Sequence, residues 1–250
     1  MSLPELTVIS VCKNCVDQVD ETISSVLAQE YSAFEYIIID GNSNDGTLEK
    51  IYSYRKAFES KRIQYVIYSG KDSGIYNAMN IGVDYAHGRY IYFLNMGDSL
   101  AAKNVLQAVS IFFDGKSIIY GDYKIKNNRC IQGWKICFFN FIYRELSICH
   151  QTVFSPANLL KNEKFDEKFR ICADREWMVR CYLQGVDFQH INIVICNYDG
   201  NGVSSNYTKY GLDSLKVCLK YGGSKAVSFV KVKRKIGKLI HGKGKHNDEN

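Results

Sequence analysis

This chain of 250 residues has few prolines. It lacks long hydrophobic runs and an ordered pattern of cysteines. With two prolines, it has no proline-rich linker that marks a domain boundary. No apolar run approaches the roughly 20 residues that a transmembrane helix needs, and no secretory signal precedes the first predicted strand. The nine cysteines are odd in number and irregularly spaced, which is typical of a reduced, cytoplasmic protein.

A glycine-rich phosphate loop is also missing. The turn after the first predicted strand reads VCKNCVDQ and contains no glycine. Dinucleotide-binding Rossmann proteins and nucleotidyltransferases need glycine there, so that the backbone can approach the phosphates. Both classes are therefore disfavoured. In the same turn Cys12 and Cys15 form a CxxC motif, but the chain has no second CxxC, so a zinc or redox role is not favoured.

Positive charge is concentrated at one end of the chain. The formal net charge is +6, and residues 225–245 hold eight Lys or Arg and no acid. Within residues 225–241, apolar side chains recur at near-helical spacing between lysines, as in a basic amphipathic helix that lies on an anionic membrane surface. The alternative is a helix packed on the domain with its lysines in solvent. Since the rest of the chain is near neutral, no nucleic-acid partner is expected.

What is present is the pattern of an α/β domain. Hydrophobic residues make up 46% of the chain and charged residues 23%, which is an ordinary globular composition. Apolar strand patterns alternate with helical patterns, which predicts βαβ units and a mainly parallel sheet. The predicted strands are residues 6–11, 34–39, 64–68 and 90–94, followed by further strands at 118–120 and 191–195; residues 75–86 and 175–184 are predicted helices.

Acidic residues follow three of these strands. Asp40, Asp72 and Asp98 lie at or just after predicted strand ends, where parallel sheets bind their ligands, so one crevice is expected to collect them. Asn95 and Asp98 enclose a glycine directly after the strand YIYFL. Oxygen ligands on a tight turn suit Mg²⁺ or Mn²⁺, and such a cation can neutralise a diphosphate leaving group.

Successive motifs of the chain resemble those of glycosyltransferase family 2, over about residues 6–202. The motifs are TVISVCKN, SVLAQEY, EYIIIDGNSNDGT, DSGIYNAMNIG, YIYFLNMGD, ICHQTVF and ICADREWMVR. They look closest to the bacterial subgroup that assembles O-antigen, capsule and exopolysaccharide repeat units. The resemblance implies a GT-A fold over residues 1–205, with a nucleotide-sugar-binding half (1–100), an acceptor and catalytic-base half (101–205), and a basic helical tail (206–250).

The resemblance also assigns roles to residues. Asp174 matches the catalytic base, Asp98 the metal ligand of the DxD region, and Asp40 the residue that holds the base or ribose of the nucleotide. Further positions expected to bind the nucleotide-sugar are Ser10, Asn14, Asp72 and Asn95. His150, Gln151 and Arg180 match positions that can contact donor or acceptor, although His150 can equally be a satisfied, partly buried histidine. Asn95 and Gly97 stand where many relatives have aspartates, and Ala173 replaces the Glu of the ED motif.

The function implied is that of an inverting hexosyl- or N-acetylhexosaminyltransferase. It would move a sugar from a nucleotide-sugar, usually a UDP-sugar, to a lipid-linked or oligosaccharide acceptor in cell-surface polysaccharide biosynthesis, with Mn²⁺ or Mg²⁺. The expected location is the cytoplasm, at the inner face of the cell membrane. The alternative is a catalytically inactive sugar-nucleotide-binding protein attached to the membrane surface. The incomplete DxD motif and the basic tail support this alternative.

Overall fold

The computed structural model describes residues 3–125, 129–133, 136–143, 148–200 and 207–242. Within these ranges the strands are β1 (Leu6–Cys12), β2 (Phe34–Asp40), β3 (Gln64–Ser69), β4 (Tyr90–Phe93), β5 (Ser99–Leu100), β6 (Ile118–Ile125), β7 (Arg129–Ile131), β8 (Val153–Pro156) and β9 (Phe188–Asn197). The helices are α1 (Val19–Leu27), α2 (Thr47–Ser53), α3 (Arg55–Ser60), α4 (Ile75–Tyr85), α5 (Val105–Ser110), α6 (Phe138–Ile142), α7 (Ala157–Asn162), α8 (Ala173–Leu183) and α9 (Tyr207–Gly242).

All the described strands join one sheet in the order β3-β2-β1-β4-β8-β6-β9-β5, with β7 added to β6. The first four strands in this order are parallel to one another. The second half is mixed: β8 is antiparallel to both its neighbours, while β6 and β9 are parallel. The chain runs outward from β1 to β3 and then returns to β4 on the other side of β1. This places a topological switch point between β1 and β4, where α/β sheets bind ligands.

Burial on both faces explains why the first strands are continuous apolar runs. Every residue of β1 and β2 is buried. Alternate side chains belong to two core clusters: Ile9 and Ile37 pack with α4 on one face, while Val8 and Ile38 pack with α1 on the other. A strand covered by helices on both sides has no solvent face and so shows no polar alternation. The predicted α/β fold with a parallel-rich central sheet is confirmed.

Helix α9 is part of the domain core over much of its length. Val217, Cys218, Ala226 and Val230 are buried in the cluster that also contains α4 and α8. Gly223, with φ of 64°, separates two helical segments, because a left-handed residue interrupts the helix. Of the apolar positions that suggested a membrane-binding face, Ile236, Leu239 and Ile240 lie outside the described side chains. Within the described ranges, no helix is long and apolar enough to cross a bilayer.

Candidate active site

A cavity of about 370 Å³ opens at the switch point, beyond the carboxyl ends of β1 and β4. Five of the residues predicted for the site line this cavity, and they come from separate parts of the chain. They are Asn95, Asp98, His150, Gln151 and Asp174. The cavity therefore collects the loop after β4, the CHQ motif and the start of α8. Its volume suits a small-molecule ligand.

Asp98 is held rigidly at the end of a tight turn. Gly97 adopts φ of 98°, a conformation that favours glycine. Thr22 of α1 fixes this turn, since its hydroxyl accepts from the N–H of Gly97 at 3.0 Å and donates to the carbonyl of Asp98 at 2.7 Å. The carboxylate accepts from the backbone N–H of Asp199 at 2.9 Å and from Nε2 of Gln151 at 2.8 Å. Burial raises the pKa of Asp98 to about 6, although these two donors oppose the shift.

A chain of polar contacts links Asn95 to Asp174. Nδ2 of Asn95 lies 3.2 Å from Nε2 of His150, and Nδ1 of His150 lies 3.5 Å from Oδ2 of Asp174. Because the Asn95 amide donates to Nε2, the neutral imidazole carries its proton on Nδ1, facing the carboxylate. The hydroxyl of Tyr76 donates to Oδ1 of Asp174 at 2.9 Å. His150 therefore lies between the loop after β4 and the carboxylate of Asp174.

These contacts keep Asp174 ionised. Burial alone would raise the pKa of Asp174, but the contact with His150, the N–H of Arg175 and the hydroxyl of Tyr76 together outweigh it, and the pKa is lowered. Asp174 is also in the first turn of α8, where the helix dipole favours a negative charge. The carboxylate is thus available at neutral pH to accept a proton from a hydroxyl group.

Helix α9 fixes the segment that leads into α8. Oδ2 of Asp213 accepts from the backbone N–H groups of Ile171 at 2.8 Å and Cys172 at 3.0 Å. One turn further, Nη1 of the buried Arg175 donates to Oγ of Ser214 at 2.5 Å. Sequence reasoning missed this support, because Asp213 and Ser214 fall in the segment interpreted as a tail. No pattern in the sequence pairs them with α8.

Asp40, which is predicted to hold the nucleotide, is not among the residues that line this cavity. It is fully buried, and its carboxylate accepts from the backbone N–H and hydroxyl of Ser43 and, at 2.6 Å, from the hydroxyl of Ser69. The strand-end carboxylate is used to close the turn after β2 and to tie it to β3. Its link to the cavity is indirect, since Oδ1 lies 3.8 Å from Sγ of Cys12, which is part of the cavity wall.

Three other predicted nucleotide contacts also lie outside the cavity wall. Ser10 is fully buried, where its hydroxyl bonds to that of Tyr36 at 2.8 Å. Asn14 is exposed, and its Oδ1 accepts from the N–H of Asn44 at 3.0 Å. Asp72 accepts from the N–H of Gly74 at 2.9 Å, at the start of α4. Each side chain stabilises a strand end or a turn next to the cavity.

Arg180, which is predicted to contact donor or acceptor, is not among the residues that line this cavity. Its guanidinium donates to Glu163 at 2.8 Å, to Glu176 at 3.1 Å and to the carbonyl of Lys164 at 2.7 Å. Six residues along α8 correspond to about 120° around the helix axis from Asp174. Helical geometry therefore points the two side chains in different directions.

Positive side chains that sequence reasoning did not assign contribute to the cavity wall. Lys13 follows β1 directly, and Arg170 precedes α8. Nη1 of Arg170 donates to the carbonyl of Ser73 at 2.7 Å, which ties the approach to α8 to the loop before α4. The sequence position of Lys13 predicts that it lies at the cavity, because any residue directly after a central strand lies at the ligand-binding edge of the sheet. Together the two side chains bring positive charge to a cavity that Asp98 and Asp174 also line.

Two oxygen donors in the cavity fit a divalent cation. One is the carboxylate of Asp98, and the other is Oδ1 of Asn95, which is buried without a hydrogen-bond partner. Among the described residues, no cluster of three or more His, Cys, Asp or Glu forms a metal site. Mg²⁺ is commonly held by one or two carboxylates together with substrate phosphates. The residues present therefore fit a cation whose coordination is completed by a phosphorylated ligand.

The chain is similar to known glycosyltransferases. The model of the family "Glycosyl transferase family 2" matches residues 7–181. A PGL/p-HBAD biosynthesis glycosyltransferase of Mycobacterium tuberculosis is 27% identical over 209 residues, which are 82% of this chain and 77% of the relative. The Escherichia coli enzyme WfgD, a UDP-Glc:alpha-D-GlcNAc-diphosphoundecaprenol beta-1,3-glucosyltransferase, is 30% identical over 142 residues, or 56% of this chain and 54% of that enzyme.

The fold has solved counterparts. The mannosyltransferase PcManGT of Pyrobaculum calidifontis, solved with GDP-Man and Mn²⁺, matches with a TM-score of 0.67 at 16% identity, over 86% of this chain and 63% of that one. At this identity the likeness concerns the fold alone. The family match covers well over half of the chain and includes the cavity residues from Asn95 to Asp174. The chain therefore belongs to glycosyl transferase family 2, and it is a glycosyltransferase of GT-A fold that uses nucleotide-sugar donors.

Proposed function

We propose that this enzyme transfers a hexosyl or N-acetylhexosaminyl group from a UDP-sugar to a hydroxyl of a lipid-linked or oligosaccharide acceptor, with inversion, in cell-surface polysaccharide assembly. The observation that carries the proposal is that Asp98 and Asp174 line one cavity from opposite parts of the fold. The name of WfgD, with its UDP-Glc donor and diphosphoundecaprenol-linked acceptor, supports this choice of donor, acceptor and polysaccharide subgroup.

The diphosphate of the donor binds at the part of the cavity lined by Asp98, Lys13 and Arg170. Asp98 and Oδ1 of Asn95 would hold Mn²⁺ or Mg²⁺ there; when bound, the cation neutralises the charge that develops on the diphosphate leaving group. Mn²⁺ in the PcManGT complex supports this assignment. Lys13 and Arg170 add positive charge from the protein itself, which compensates for the single carboxylate of the DxD region.

Asp174 accepts the proton of the acceptor hydroxyl as that oxygen attacks the anomeric carbon. General-base assistance of this kind contributes typically about 10²- to 10⁴-fold. Nδ1 of His150 lies 3.5 Å from one carboxylate oxygen, and the hydroxyl of Tyr76 donates to the other. These two contacts fix the direction in which the carboxylate presents its free electron pair. Asp40, Ser10, Asn14 and Asp72 support the donor site by fixing the strand ends and turns beside it.

The acceptor reaches the enzyme at a membrane surface, to which residues 225–241 bind. Among the described side chains of this segment, Phe229 is 47% exposed and Val232 is 58% exposed. Lys231, Lys233 and Lys235 are exposed on the same stretch of helix. Apolar groups between lysines suit an anionic bilayer, which gives the protein a peripheral location at the inner face of the membrane.

A panel of nucleotide-sugars tests the proposal. A ligand that binds the folded state raises the melting temperature, so we expect UDP and one or more UDP-sugars to do so, more strongly with Mn²⁺ than with EDTA. The stabilising UDP-sugar is then incubated with undecaprenyl-diphosphate-linked saccharides, and UDP release is measured. UDP binding without transfer to any acceptor would instead favour an inactive nucleotide-binding protein. The ionised carboxylate of Asp174 does not favour that alternative.

A further inference from the structure

A stripe of polar side chains runs along one side of helix α4 and the turn before it. The stripe consists of Ser73, Tyr76, Asn77 and Asn80. Residues three or four apart lie on the same face of a helix, so these side chains point in a common direction. All four are within hydrogen-bonding distance of residues in the segment 165–171, which we call the arm and which leads into α8.

Asn80 fixes the start of the arm. Its Oδ1 accepts from the backbone N–H of Phe165 at 3.0 Å, and its Nδ2 donates to the carbonyl oxygen of the same residue at 3.0 Å. Asn80 is 6% exposed and Phe165 is 7% exposed, so water has little access to these groups. Because a buried backbone group without a partner is unfavourable, this double contact holds the backbone of Phe165 against α4.

Glu167 joins the centre of the arm to three members of the stripe. Its Oε1 accepts from Nδ2 of Asn77 and from Nδ2 of Asn80, each at 3.1 Å. Its Oε2 accepts from the hydroxyl of Ser73 at 3.1 Å. The carbonyl of Ser73 in turn accepts from Nη1 of Arg170 at 2.7 Å. The contacts of Glu167 therefore fix the same turn that orients Arg170.

The arm positions two groups that line the cavity, namely Arg170 and, at the start of α8, Asp174. The hydroxyl of Tyr76 lies 2.8 Å from the carbonyl oxygen of Ile171 and 2.9 Å from Oδ1 of Asp174, so the stripe reaches as far as the carboxylate. A displacement of the arm would move both groups together. A displacement of about 1 Å at a reacting group can cost about 10²-fold in rate.

We propose that Asn80 and Glu167 are positioning residues, which hold Arg170 and Asp174 at a fixed separation, so that donor binding and proton removal depend on the same contacts. Neither Asn80 nor Glu167 is among the residues that line the cavity, so both act through the arm. The roles of Arg170 and Asp174 rest on the proposed function, whereas the attachment of the arm to α4 does not.

Substitutions of Glu167 test the proposal. Glu167→Ala removes all three acceptor contacts, whereas Glu167→Gln keeps an oxygen for the two asparagines and an amide that can donate to Ser73. We expect Glu167→Ala to lower kcat by about 10- to 100-fold and to weaken the binding of UDP with Mn²⁺ by about tenfold. Glu167→Gln should restore most of both. Calorimetry and turnover are measured well below the melting temperature.

The matched control is Lys164→Ala. Lys164 directly precedes the arm and pairs with Asp84 of α4, and these two side chains are 39% and 55% exposed. This ion pair also joins α4 to the start of the arm, but it lies outside the stripe. Because exposed ion pairs contribute little, Lys164→Ala is expected to keep wild-type kcat and UDP affinity.

Hydrogen exchange of peptides that cover residues 165–171 gives a measurement independent of activity. Exchange reports local opening of the backbone, so we expect it to be faster in Glu167→Ala than in the wild type, Glu167→Gln and Lys164→Ala. In the wild type, UDP with Mn²⁺ should slow exchange in the arm, because Arg170 binds the diphosphate. If Glu167→Ala does not fold, Asn77→Ala, which removes one of the three contacts, is measured in the same way.

Unchanged exchange in the Glu167→Ala arm would overturn the proposal. So would faster exchange combined with wild-type kcat and UDP affinity, or equal losses in Lys164→Ala. A lower melting temperature as the only effect would make Glu167 purely structural and would also overturn it. If Glu167→Ala weakens UDP binding but the wild type transfers sugar to no acceptor, the positioning of Arg170 is supported and the proposed function is wrong.

Discussion

Nδ1 of His150 lies 3.5 Å from Oδ2 of Asp174, so that an imidazole from one side of the cavity faces the carboxylate that begins helix α8. The tautomer is fixed from the other side by the amide of Asn95. Asn95, a proposed metal ligand, and Asp174, the proposed base, are therefore joined through one ring. This arrangement makes the protonation of Asp174 depend on His150.

Replacement of His150 by Ala is expected to shift the pH dependence of transfer. The contact with His150 is the largest of the effects that lower the pKa of Asp174, so its loss raises that pKa. Since the ionised carboxylate is the active form, the acid limb of the kcat/KM profile moves to higher pH. Profiles of wild type and variant measure this, and coincident acid limbs would show that His150 does not tune the base.

The contribution of Asp98 to the stability of the metal-free protein should fall as pH rises from about 4 to about 6. Burial raises the pKa of Asp98 to about 6, above the value of about 3.9 in an unfolded chain. The folded state therefore binds more protons in this window, and its advantage is complete below the unfolded value and lost as Asp98 ionises. Other carboxylates titrate here as well, so the difference between wild type and Asp98→Asn is the quantity to follow.

Melting temperatures in EDTA provide that measurement. We expect the wild type to be stabilised relative to Asp98→Asn near pH 4, and this relative stability to decline toward pH 7. Melting curves that stay parallel across the range would mean that Asp98 is not perturbed in the folded protein. Addition of Mn²⁺ with UDP above pH 6 is expected to stabilise the wild type more than the variant, because the ionised carboxylate is the ligand form.

Asp213 is expected to act as a positioning residue for the base. Asp213→Ala leaves the N–H groups of Ile171 and Cys172 without their acceptor, at a cost of about 1–3 kcal/mol for each buried group that stays unsatisfied. A lower kcat with little change in the KM for donor, measured well below the melting temperature, is the predicted result. Asp213→Asn, which keeps an acceptor oxygen, should restore much of kcat.

The matched control for that variant is Lys216→Ala. Lys216 pairs with the other carboxylate oxygen of Asp213 at 3.0 Å, and its side chain is 59% exposed. An exposed ion pair is typically worth about 0–1 kcal/mol, so stability and kcat are expected to change little. If Asp213→Ala lowered only the melting temperature and left kcat intact, its role would be purely structural.

Binding to anionic vesicles is expected to depend on the lysines of α9. Each basic residue near an anionic surface contributes about 1 kcal/mol, so replacement of Lys231, Lys233 and Lys235 by Gln should weaken binding by about 100-fold. Replacement of three exposed lysines elsewhere, Lys56, Lys103 and Lys116, serves as the control of equal charge. Co-sedimentation with phosphatidylglycerol vesicles and with neutral phosphatidylcholine vesicles separates the contribution of charge from that of apolar insertion. If both triple variants lost equal binding affinity, a docking role for α9 would be contradicted.

The sequence predicts the central strands and the core of the site well for a physical reason. Strands buried on both faces show as uninterrupted apolar runs, as in β1 and β2, and polar residues directly after β4 can only lie at the ligand-binding edge. That is why Asn95 and Asp98 reach the cavity. The family motifs add His150, Gln151 and Asp174, whose convergence depends on long-range packing that no local pattern reveals.

The sequence does not reveal which neighbouring groups form hydrogen bonds or ion pairs with each polar side chain. Asp40 ends a strand like a ligand-binding residue, but Ser43 and Ser69 take up its oxygens. Arg180 belongs to a matched motif, yet Glu163 and Glu176 hold it on another face of the helix. The lysine-rich pattern of the last segment likewise conceals the small and apolar residues through which α9 packs into the core.

Asp174→Asn tests most directly whether Asp174 removes the acceptor proton in a cavity that also binds the donor diphosphate. Turnover and UDP affinity are measured on the same preparation, with Asp84→Asn, an exposed carboxylate paired with Lys164, as the control. We expect Asp174→Asn to lose about 10²- to 10⁴-fold in kcat with UDP affinity unchanged, and Asp84→Asn to behave as wild type. Near wild-type turnover in Asp174→Asn would show that Asp174 is not the base.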